Sequence, residues 1–325
     1  MAWVVTGGAG YIGAHVVRAL RPAHDVVVFD DLSTGRLERL PGDVPLIKGS
    51  IGDPGDVARL LHDHPVDGVI HLAARKAAGE SVADPAPYGR DADGVRNLLR
   101  AMSAAGVNRL VFASSAAVYG DVPGEPAGES RPPRPLNPYG VAKASGERLI
   151  RAARRPGFRS LIFRAFNVIG AGPHPYAMDT GPGGLLPAAF RAAAGGPAFT
   201  VHGTGLPTAD GTAVRDYVHV TDVARAYARA VDALRGDGPA GRVLNLGSGA
   251  GSSVLDVVRA VEEVTGRRLA PVAAPPRPGD AAEVVADVRR ARQWGWAATV
   301  PLTEAVRSAW TSFVAADEYA IRRRP

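Results

Sequence analysis

The chain has 325 residues, of which 46% are hydrophobic and 22% charged, the composition of an ordinary globular protein with a large core. It contains no cysteine, which excludes disulfides, thiolate catalysis and zinc–thiolate sites, and its eight histidines lack metal-ligand spacing, so we expect no metal. The net charge of +6 suits anionic ligands, but the basic residues are dispersed and the run at residues 322–324 is typical of a solvated tail, so no nucleic-acid partner is expected.

The first predicted elements form a nucleotide-binding unit. Residues 2–5 are an apolar run typical of a buried strand, TGGAGYIG follows at residues 6–13, and an apolar stripe predicts a helix after it. Glycines at this spacing permit a tight turn and a close approach of the backbone to a pyrophosphate, which the N–H groups at the start of the helix then face.

A second apolar strand, at residues 26–29, ends in Asp30 and Asp31. A carboxylate about 20 residues beyond the glycines accepts hydrogen bonds from ribose hydroxyls and repels a 2′-phosphate, so the sequence favours NAD over NADP. A glycine-rich turn without a ligand is the alternative. Arg36 and Arg39 lie just downstream and leave a phosphate-bearing cofactor open.

Strands and helices continue to alternate along the chain. Strands are predicted at residues 46–48, 68–72, 110–113, 161–164 and 243–246, and helices at 57–61, 93–105, from 138 onward, 185–194, 222–234 and 253–265. The strand at residues 110–113 runs into Ser114 and Ser115, at the carboxyl end where open α/β sheets bind ligands. Gly, Pro and Ala dominate residues 170–205, which suggests loops lining a cleft.

This order of elements predicts an α/β protein with a doubly wound parallel sheet (Rossmann) and a smaller mixed α/β substrate-binding lobe. We expect the NAD-binding domain to span residues 1–168 plus about 216–246. The lobe should then be discontinuous and comprise residues 169–215 plus 247–325.

Tyr139 and Lys143, in NPYGVAK, carry the predicted chemistry. Asn137 is a suitable N-cap and Pro138 suits a first helical turn, so the two side chains lie one turn apart on one helix face. A nearby ammonium favours the phenolate of a tyrosine, and Ser115 can hold a substrate oxygen in line. Alone, Tyr139 would more often be a packed aromatic and Lys143 a solvated cation; together with Ser115 and the glycine turn they indicate proton and hydride transfer at an alcohol.

Several segments resemble the extended short-chain dehydrogenase/reductases and, more narrowly, the UDP-glucose (UDP-galactose) 4-epimerases. They are TGGAGYIG, Asp30, SSAAVYG at residues 114–120, YGVAK, RAFN at 164–167, DGTAVRDYVHVTD at 210–222, KAAGES at 76–81 and NLGSGAGSSVLDVV at 245–258. The resemblance covers about residues 3 to 312. YGVAK is specific only to the superfamily, whereas VRDYVHV with KAAGES is more specific to nucleotide-sugar epimerases.

The resemblance implies a redox-neutral cycle at carbon 4 of a nucleotide-hexose, with Ser115, Tyr139 and Lys143 as the catalytic residues. It implies a cofactor site formed by Gly7, Gly10, Tyr11, Ile12, Gly13, Asp30, Asp31, Ser33, Ser50, Ile51, Leu72, Ala73, Ala74, Lys76, Tyr139, Lys143 and Phe166. It implies a substrate site formed by Lys76, Ser115, Ala116, Ala117, Asn167, Gly184, Leu185, His202, Arg215, Arg277 and Asp280. The planar guanidinium of Arg215 can bind a diphosphate through two parallel hydrogen bonds. The alternative role for Arg215 is a structural ion pair with Asp216 or Asp222.

Some positions depart from the family pattern. The related 4,6-dehydratases carry an Asp-Glu pair where this chain has Ala116 and Ala117, so dehydration is not expected. The departures from the epimerases are Gly183 and Gly184 for an asparagine pair, Ala165 for a tyrosine, Val284 for a bulky or gating residue, His202 for an aromatic, Ser50 for an acid and Asp91 for an asparagine. Of these, Ala165, Gly184 and Val284 replace larger residues around the expected sugar site and predict a roomier pocket, fit for a hexose substituted at carbon 2 or carbon 6.

Two alternatives to epimerisation remain open at this point, a nucleotide-sugar reductase or dehydrogenase that releases reduced cofactor, and a non-catalytic NAD-binding protein. The substrate is expected to be a UDP-sugar, with a dTDP-sugar possible. No apolar run has membrane-spanning length and the N-terminus has no signal-peptide pattern, so we expect a cytoplasmic protein. The helices from residues 93 and 138 lie where the resembled family builds a four-helix dimer interface, so we expect a symmetric homodimer. The wide stripe Val95, Leu98, Leu99 and Met102 agrees with this, and core packing is its alternative.

Overall fold

The computed structural model describes residues 1–76, 78–174, 177–181, 183–236, 238 and 240–322. The basic run at residues 322–324, predicted as a solvated tail, lies outside the described side chains. Among the residues that the structure describes, no helix is long and apolar enough to cross a membrane.

A seven-stranded parallel sheet forms the centre of the molecule. Its strands are β1 (Ala2–Thr6), β2 (Val26–Asp30), β3 (Leu46–Lys48), β4 (Val66–His71), β5 (Arg109–Ser115), β6 (Arg159–Ala165) and β10 (Arg242–Leu246), in the order β10-β6-β5-β4-β1-β2-β3. The chain moves outward from β1 in both directions, so the order reverses between β1 and β4. A crevice outside the carboxyl ends of the strands at such a reversal is where doubly wound sheets bind ligands.

Helices cover both faces of this sheet. The helices are α1 (Tyr11–Leu20), α2 (Pro54–Asp63), α3 (Ala78–Ala83), α4 (Ala86–Ala104), α5 (Pro138–Ala152), α6 (Leu185–Ala193), α7 (Val220–Arg235), α8 (Val254–Thr265), α9 (Arg289–Gln293) and α10 (Leu302–Arg322). Side chains alternate across the pleat of β1, so Trp3 and Val5 pack into the core beneath α1 and α7, while Val4 packs into the core beneath α2 and α4. The predicted doubly wound fold is confirmed.

A smaller mixed lobe lies beyond the carboxyl ends of the strands. β9 (Val214–His219) pairs antiparallel with β11 (Gly251–Ser253) and parallel with β7 (Asn167–Ile169) and β13 (Glu283–Val284). β8 (Thr200–His202) pairs with β12 (Val272–Ala274), and α6, α8 and α10 pack around a separate apolar core that includes Phe190 and Val306. The domain boundaries expected from the sequence stay a prediction.

The start of α4 predicted from the sequence is too late. The helix begins at Ala86, seven residues before Asp93, because the prolines at 85 and 87 sit at its first turn, where a missing N–H costs no hydrogen bond. The interpretation of the stripe on α4 is also wrong, since Val95, Leu98, Leu99 and Met102 are all buried in the chain's own core beside β4 and β5. That stripe therefore gives no argument for a dimer.

Candidate active site

The glycine turn forms a cradle in which side chains do not fit. Gly7 has a φ of +70°, and a Cβ there would lie 2.7 Å from the Ala73 nitrogen at the end of β4. A Cβ on Gly13 would lie 2.1 Å from the Gly7 carbonyl oxygen, so α1 packs directly on the turn. Gly10 caps α1 without a side-chain acceptor, and no acidic residue occupies the first turn. The helix N-terminus thus keeps its N–H groups and its positive dipole for an anion, as a dinucleotide pyrophosphate requires.

Asp30 is held at the end of β2 beside this turn. Its two carboxylate oxygens accept hydrogen bonds of 2.9 Å from the backbone nitrogens of Ala9 and Leu32. Burial raises its pKa, and the two backbone hydrogen bonds oppose that shift. Its position beyond the glycine turn fits a ribose contact, which stays a prediction for Asp30, Asp31 and Ser33.

Arg39, considered from the sequence as a phosphate ligand, is turned toward another part of the chain. It is buried and donates to the Met178 carbonyl at 3.3 Å and to the Thr180 hydroxyl at 3.5 Å. These contacts tie the segment after β2 to residues 178–180, so Arg39 serves the protein's own packing.

Most of the other predicted cofactor residues follow the ends of β3 and β4, at the carboxyl edge of the sheet, whereas Phe166 follows β6. The Ser50 nitrogen donates to Asp56, and the Ile51 carbonyl accepts from Asn97. Ala73 donates to the Thr6 hydroxyl at 3.3 Å. The predicted set therefore clusters around the β1–β4 crevice, which matches a dinucleotide in outline.

The three predicted catalytic residues meet where β5 faces α5. The Asn137 side chain caps α5 by accepting from the Gly140 nitrogen at 2.9 Å, as predicted, and this places Tyr139 in the first turn. The Ser115 and Tyr139 side chains lie on the wall of one cavity, close enough for the serine to act on the pKa of the phenol. The Lys143 Nζ lies 5.9 Å from the centre of the Tyr139 ring and donates to the Ala113 carbonyl at 2.8 Å.

Burial dominates the electrostatics of this group. Burial raises the pKa of Tyr139. The Ser115 hydroxyl acts to lower that pKa, and the charge of Asp91 raises it further. Burial lowers the pKa of Lys143 to about 8, and the Asp91 carboxylate partly opposes that shift. A buried phenol is therefore a poor base by itself, and the cation beside it offsets the cost of forming the phenolate.

Two adjoining cavities contain most of the predicted substrate residues. The first has a volume of about 290 Å³, and its walls include Lys76, Ser115, Ala116, Ala117, Tyr139, Ala165, Phe166, Asn167, Arg215, Asp280 and Val284. The second has about 390 Å³, and its walls include Tyr11, Lys76, Asn167, Gly184, Leu185, His202, Arg215, Arg277 and Asp280. Four residues line both cavities, namely Lys76, Asn167, Arg215 and Asp280. An elongated ligand can thus place one end at Tyr139 and the other near His202 and Arg277.

Arg215 holds the loop that closes the first cavity. Its guanidinium donates to the carbonyls of Ala281 at 2.6 Å, Val214 at 2.9 Å and Ala282 at 3.3 Å. Within the described residues it forms no ion pair with Asp216 or Asp222, which accept hydrogen bonds from other partners, among them Ser248 and Thr299. A guanidinium has five N–H donors, so a diphosphate contact is compatible with this arrangement.

Sequence reasoning missed several residues around the site. One is Asp179, which is ion-paired with Lys76 from 103 positions away, a contact that no local pattern indicates. Ser81 accepts from the Tyr139 nitrogen at 3.2 Å, and Glu147 bonds to Ser114 beneath the site. Glu147 was detectable, because it follows Lys143 by one helical turn on the same face.

The described residues contain no group of three or more histidine, aspartate or glutamate side chains placed to hold a metal ion. The site thus consists of a dinucleotide cradle, a Ser-Tyr-Lys group in which Lys143 is buried and the other two residues are half-buried, and a two-part cavity that joins them.

Residues 3–247 match the NAD dependent epimerase/dehydratase family, and the chain belongs to that family. It is 43% identical over 300 residues to the UDP-glucose 4-epimerase of Azospirillum brasilense, which covers 90% of this chain and 86% of that protein. Among solved structures it is similar to the UDP-glucose 4-epimerase of Stenotrophomonas maltophila with bound NAD and formylated UDP-arabinopyranose (37% identity, 98% of this chain and 99% of that chain, TM-score 0.89). The UDP-glucose 4-epimerase of Bifidobacterium longum in complex with NAD+ and UDP is similar too (32% identity, 97% and 98%, TM-score 0.89).

Proposed function

We propose that this protein is an isomerase, an NAD-dependent nucleotide-sugar 4-epimerase acting on a UDP-hexose. The observation that carries the proposal is the meeting of Ser115 and Tyr139 on the wall of a cavity that continues past Asn167 and Arg215. Membership of the family and the similarity to UDP-glucose 4-epimerases support it.

Tyr139 acts as the base. Its phenolate accepts the proton of the sugar 4-hydroxyl, while the hydrogen on carbon 4 leaves as a hydride and a 4-keto sugar forms. NAD, when bound, supplies the acceptor and later the donor of that hydride. The keto sugar turns over in the first cavity, carbon 4 regains the hydride on its other face, and Tyr139 returns its proton to the oxygen. Atoms and electrons balance, and no redox equivalent leaves the site.

The neighbouring residues bind and orient. Ser115, which lines the first cavity together with Tyr139, positions the 4-oxygen in line with the phenol. Lys143 places a buried cation beside the developing phenolate. The cradle for the dinucleotide is formed by Gly7, Gly10, Gly13 and Asp30. Arg215 and Arg277 would face the diphosphate and nucleoside of the nucleotide-sugar substrate.

Elimination of water has no acid–base pair here. The positions after Ser115 are Ala116 and Ala117, and both line the first cavity. Without a carboxylate at either position, carbon 5 has no base and the leaving hydroxyl has no acid, which favours epimerisation over dehydration.

The proposal includes a symmetric homodimer and a substrate lobe of residues 169–215 plus 247–325. The proposed interface is at α4 and α5, the helices that the family resemblance implies, and Val141 on α5 is 49% exposed. The lobe rests on the family resemblance, and the dimer rests on that resemblance and on the exposed face of α5.

Product analysis by NMR tests the function. The purified protein, with its NAD content measured, is incubated with a panel of UDP- and dTDP-sugars, and Tyr139→Phe serves as the matched control. We expect interconversion of 4-epimers without added cofactor and without accumulation of reduced cofactor. Stoichiometric release of reduced cofactor would instead indicate a dehydrogenase, and bound NAD without any conversion across the panel would indicate a non-catalytic protein.

A further inference from the structure

Helix α5 contacts three consecutive residues of β5. Tyr139 and Lys143 reach Ser115 and Ala113, as described above, and Glu147, one turn further along, reaches the residue between them. The Ser114 hydroxyl donates a 2.6 Å hydrogen bond to Glu147 Oε1. The strand that carries Ser115 and the helix that carries Tyr139 are therefore joined by a side-chain bond directly behind the proton-transfer pair.

The Glu147 carboxylate is fully buried and its acceptor positions are filled. Oε1 accepts from Ser114 and from Arg164 Nε at 2.8 Å, and Oε2 accepts from Arg164 Nη2 and Arg151 Nη2, both at 2.8 Å. Burial alone would raise the pKa of Glu147, but the hydrogen bonds and charges of Arg164, Ser114 and Arg151 outweigh it and hold the pKa below its usual range. The lowered pKa favours the carboxylate form of Glu147.

Arg164 extends this contact to the other side of Ser115. It is 1% exposed, lies on β6 directly opposite Ser114, and stacks over the ring of Tyr119 at 4.7 Å. Tyr119 follows the short 3-10 turn Ala116–Val118 that starts at Ser115, and its hydroxyl donates to Asn245 at 2.6 Å. The Glu147–Arg164 pair therefore holds both the residue before Ser115 and the turn after it.

Stability alone does not account for such a pair. Buried ion pairs are often replaceable by apolar residues of similar volume at no loss of folding free energy, because desolvation offsets the attraction. Reaction geometry is far less tolerant, since a displacement of about 1 Å can cost a factor of about 10² in rate. Because the Glu147–Arg164 pair contacts the residues on both sides of Ser115, a role in reaction geometry explains it better than a role in folding stability.

We propose that Glu147 is a positioning residue, which acts through Ser114 and Arg164 to hold the Ser115 hydroxyl against the phenol of Tyr139. It touches neither substrate nor cofactor. The inference rests on the proposed function for its kinetic readout, and on geometry alone for its structural one.

Ser114→Ala is the primary test, because it removes the link and leaves the Glu147–Arg164 pair intact. We expect kcat to fall about tenfold or more, with KM, NAD content and melting temperature close to those of the wild type. Ser114→Thr, which keeps the hydroxyl, should restore kcat, whereas the equally shaped Ser114→Val should not. Arg151→Gln is the matched control: it removes a bond to the same carboxylate from the solvent side, where Arg151 is 40% exposed, and should leave kcat unchanged.

Wild-type kcat in Ser114→Ala or Ser114→Val would overturn the proposal, as would a loss that follows NAD content or melting temperature. If Ser114→Ala does not fold, the Thr and Val pair decides, since the two differ only in the hydroxyl. Crystal structures provide a readout that needs no substrate: the distance between the Ser115 and Tyr139 hydroxyls should lengthen in Ser114→Ala and not in Arg151→Gln. An inactive wild type would refute the proposed function, and an unchanged distance would refute this inference.

Discussion

Lys143 Nζ donates a 2.8 Å hydrogen bond to the carbonyl oxygen of Ala113, the residue two positions before Ser115. The bond fixes a buried ammonium against the strand that supplies the serine, within 5.9 Å of the centre of the Tyr139 ring. Since burial has lowered the pKa of this lysine to about 8, its charge is costly where it stands and is kept there by the surrounding fold. The hydrogen bond from Lys143 to Ala113 therefore sets where the positive charge lies relative to Tyr139 and Ser115.

Replacement of the base is the most direct test of the mechanism. Tyr139→Phe should lower turnover by at least about 10², because a positioned proton-transfer group contributes about 10²–10⁴ in rate. The ring contact with Tyr88 should survive, so melting temperature and NAD content should change little. Turnover is measured with the sugar that the wild type converts best. Near-normal turnover in this variant would remove Tyr139 from the mechanism.

The buried ammonium predicts a pH-dependent stability. The pKa of Lys143 is about 8 in the folded protein, whereas the ordinary value for a lysine is 10.5, so its desolvation cost is fully present below about pH 8 and disappears as the pH rises toward 10.5. Lys143→Met should therefore be more stable than the wild type at neutral pH, by at most about 3 kcal/mol, and this advantage should shrink with rising pH.

Melting temperatures of both proteins, measured with saturating NAD from about pH 7 to about pH 10, give the comparison. The exposed substitution Lys48→Met controls for the loss of a lysine charge in general. A stability difference that is independent of pH over this range would show that the pKa of Lys143 is not lowered in the folded protein.

The central sheet was predictable because its strands are short apolar runs that each end in a turn. The predicted bounds of β1, β2 and β3 agree with the structure to within one residue, and Asn137 with Pro138 fixes the start of α5. The short strands of the lobe were not predictable. For example, β13 pairs with β9 from about 70 positions away, and Glu283 lies beside Val214 only in the folded chain. The same holds for the Lys76–Asp179 pair.

The stripe on α4 shows a limit of periodicity. Its four apolar residues predict an amphipathic helix correctly, but periodicity does not say how deep the groove is that receives them. In the fold, α4 lies between α2 and α5 and over β4 and β5. These four elements together cover the whole stripe. Asp91 was equally hard to interpret, because a charge on a helix is usually solvated and only the packed structure shows this carboxylate turned inward.

The homodimer is testable through Val141. The mass of one chain is 33.7 kDa. Light scattering of the wild type at micromolar concentration should give twice that mass. Val141→Asp should shift the protein toward monomer, because it places a charge in the proposed interface. Leu37→Asp, at a position 55% exposed and outside that face, should remain dimeric. A monomeric wild type contradicts the proposal, and a dimeric Val141→Asp moves the interface away from α5.

The first cavity predicts tolerance for substituted sugars. Val284 is buried on β13 and lines the cavity together with Ala165, so two small side chains stand where the sugar is expected. A hexose that carries an N-acetyl group at carbon 2 or a carboxylate at carbon 6 should be accepted along with UDP-glucose. Removal of a steric block changes discrimination by only about 1–3 kcal/mol, so tolerance is expected and strict preference is not.

Refilling the cavity tests this prediction. Val284→Tyr combined with Ala165→Tyr should lower kcat/KM for substituted sugars about tenfold more than for UDP-glucose, because only the larger substrates meet the added rings. Val118→Ile, in the same buried cluster but off the cavity wall, controls for overpacking, which should affect all sugars alike. Competition between two sugars in one reaction, read by NMR, measures the ratio directly. An equal fractional loss for both classes of sugar would mean that the small residues reflect repacking of the core and leave the size of the substrate site unchanged.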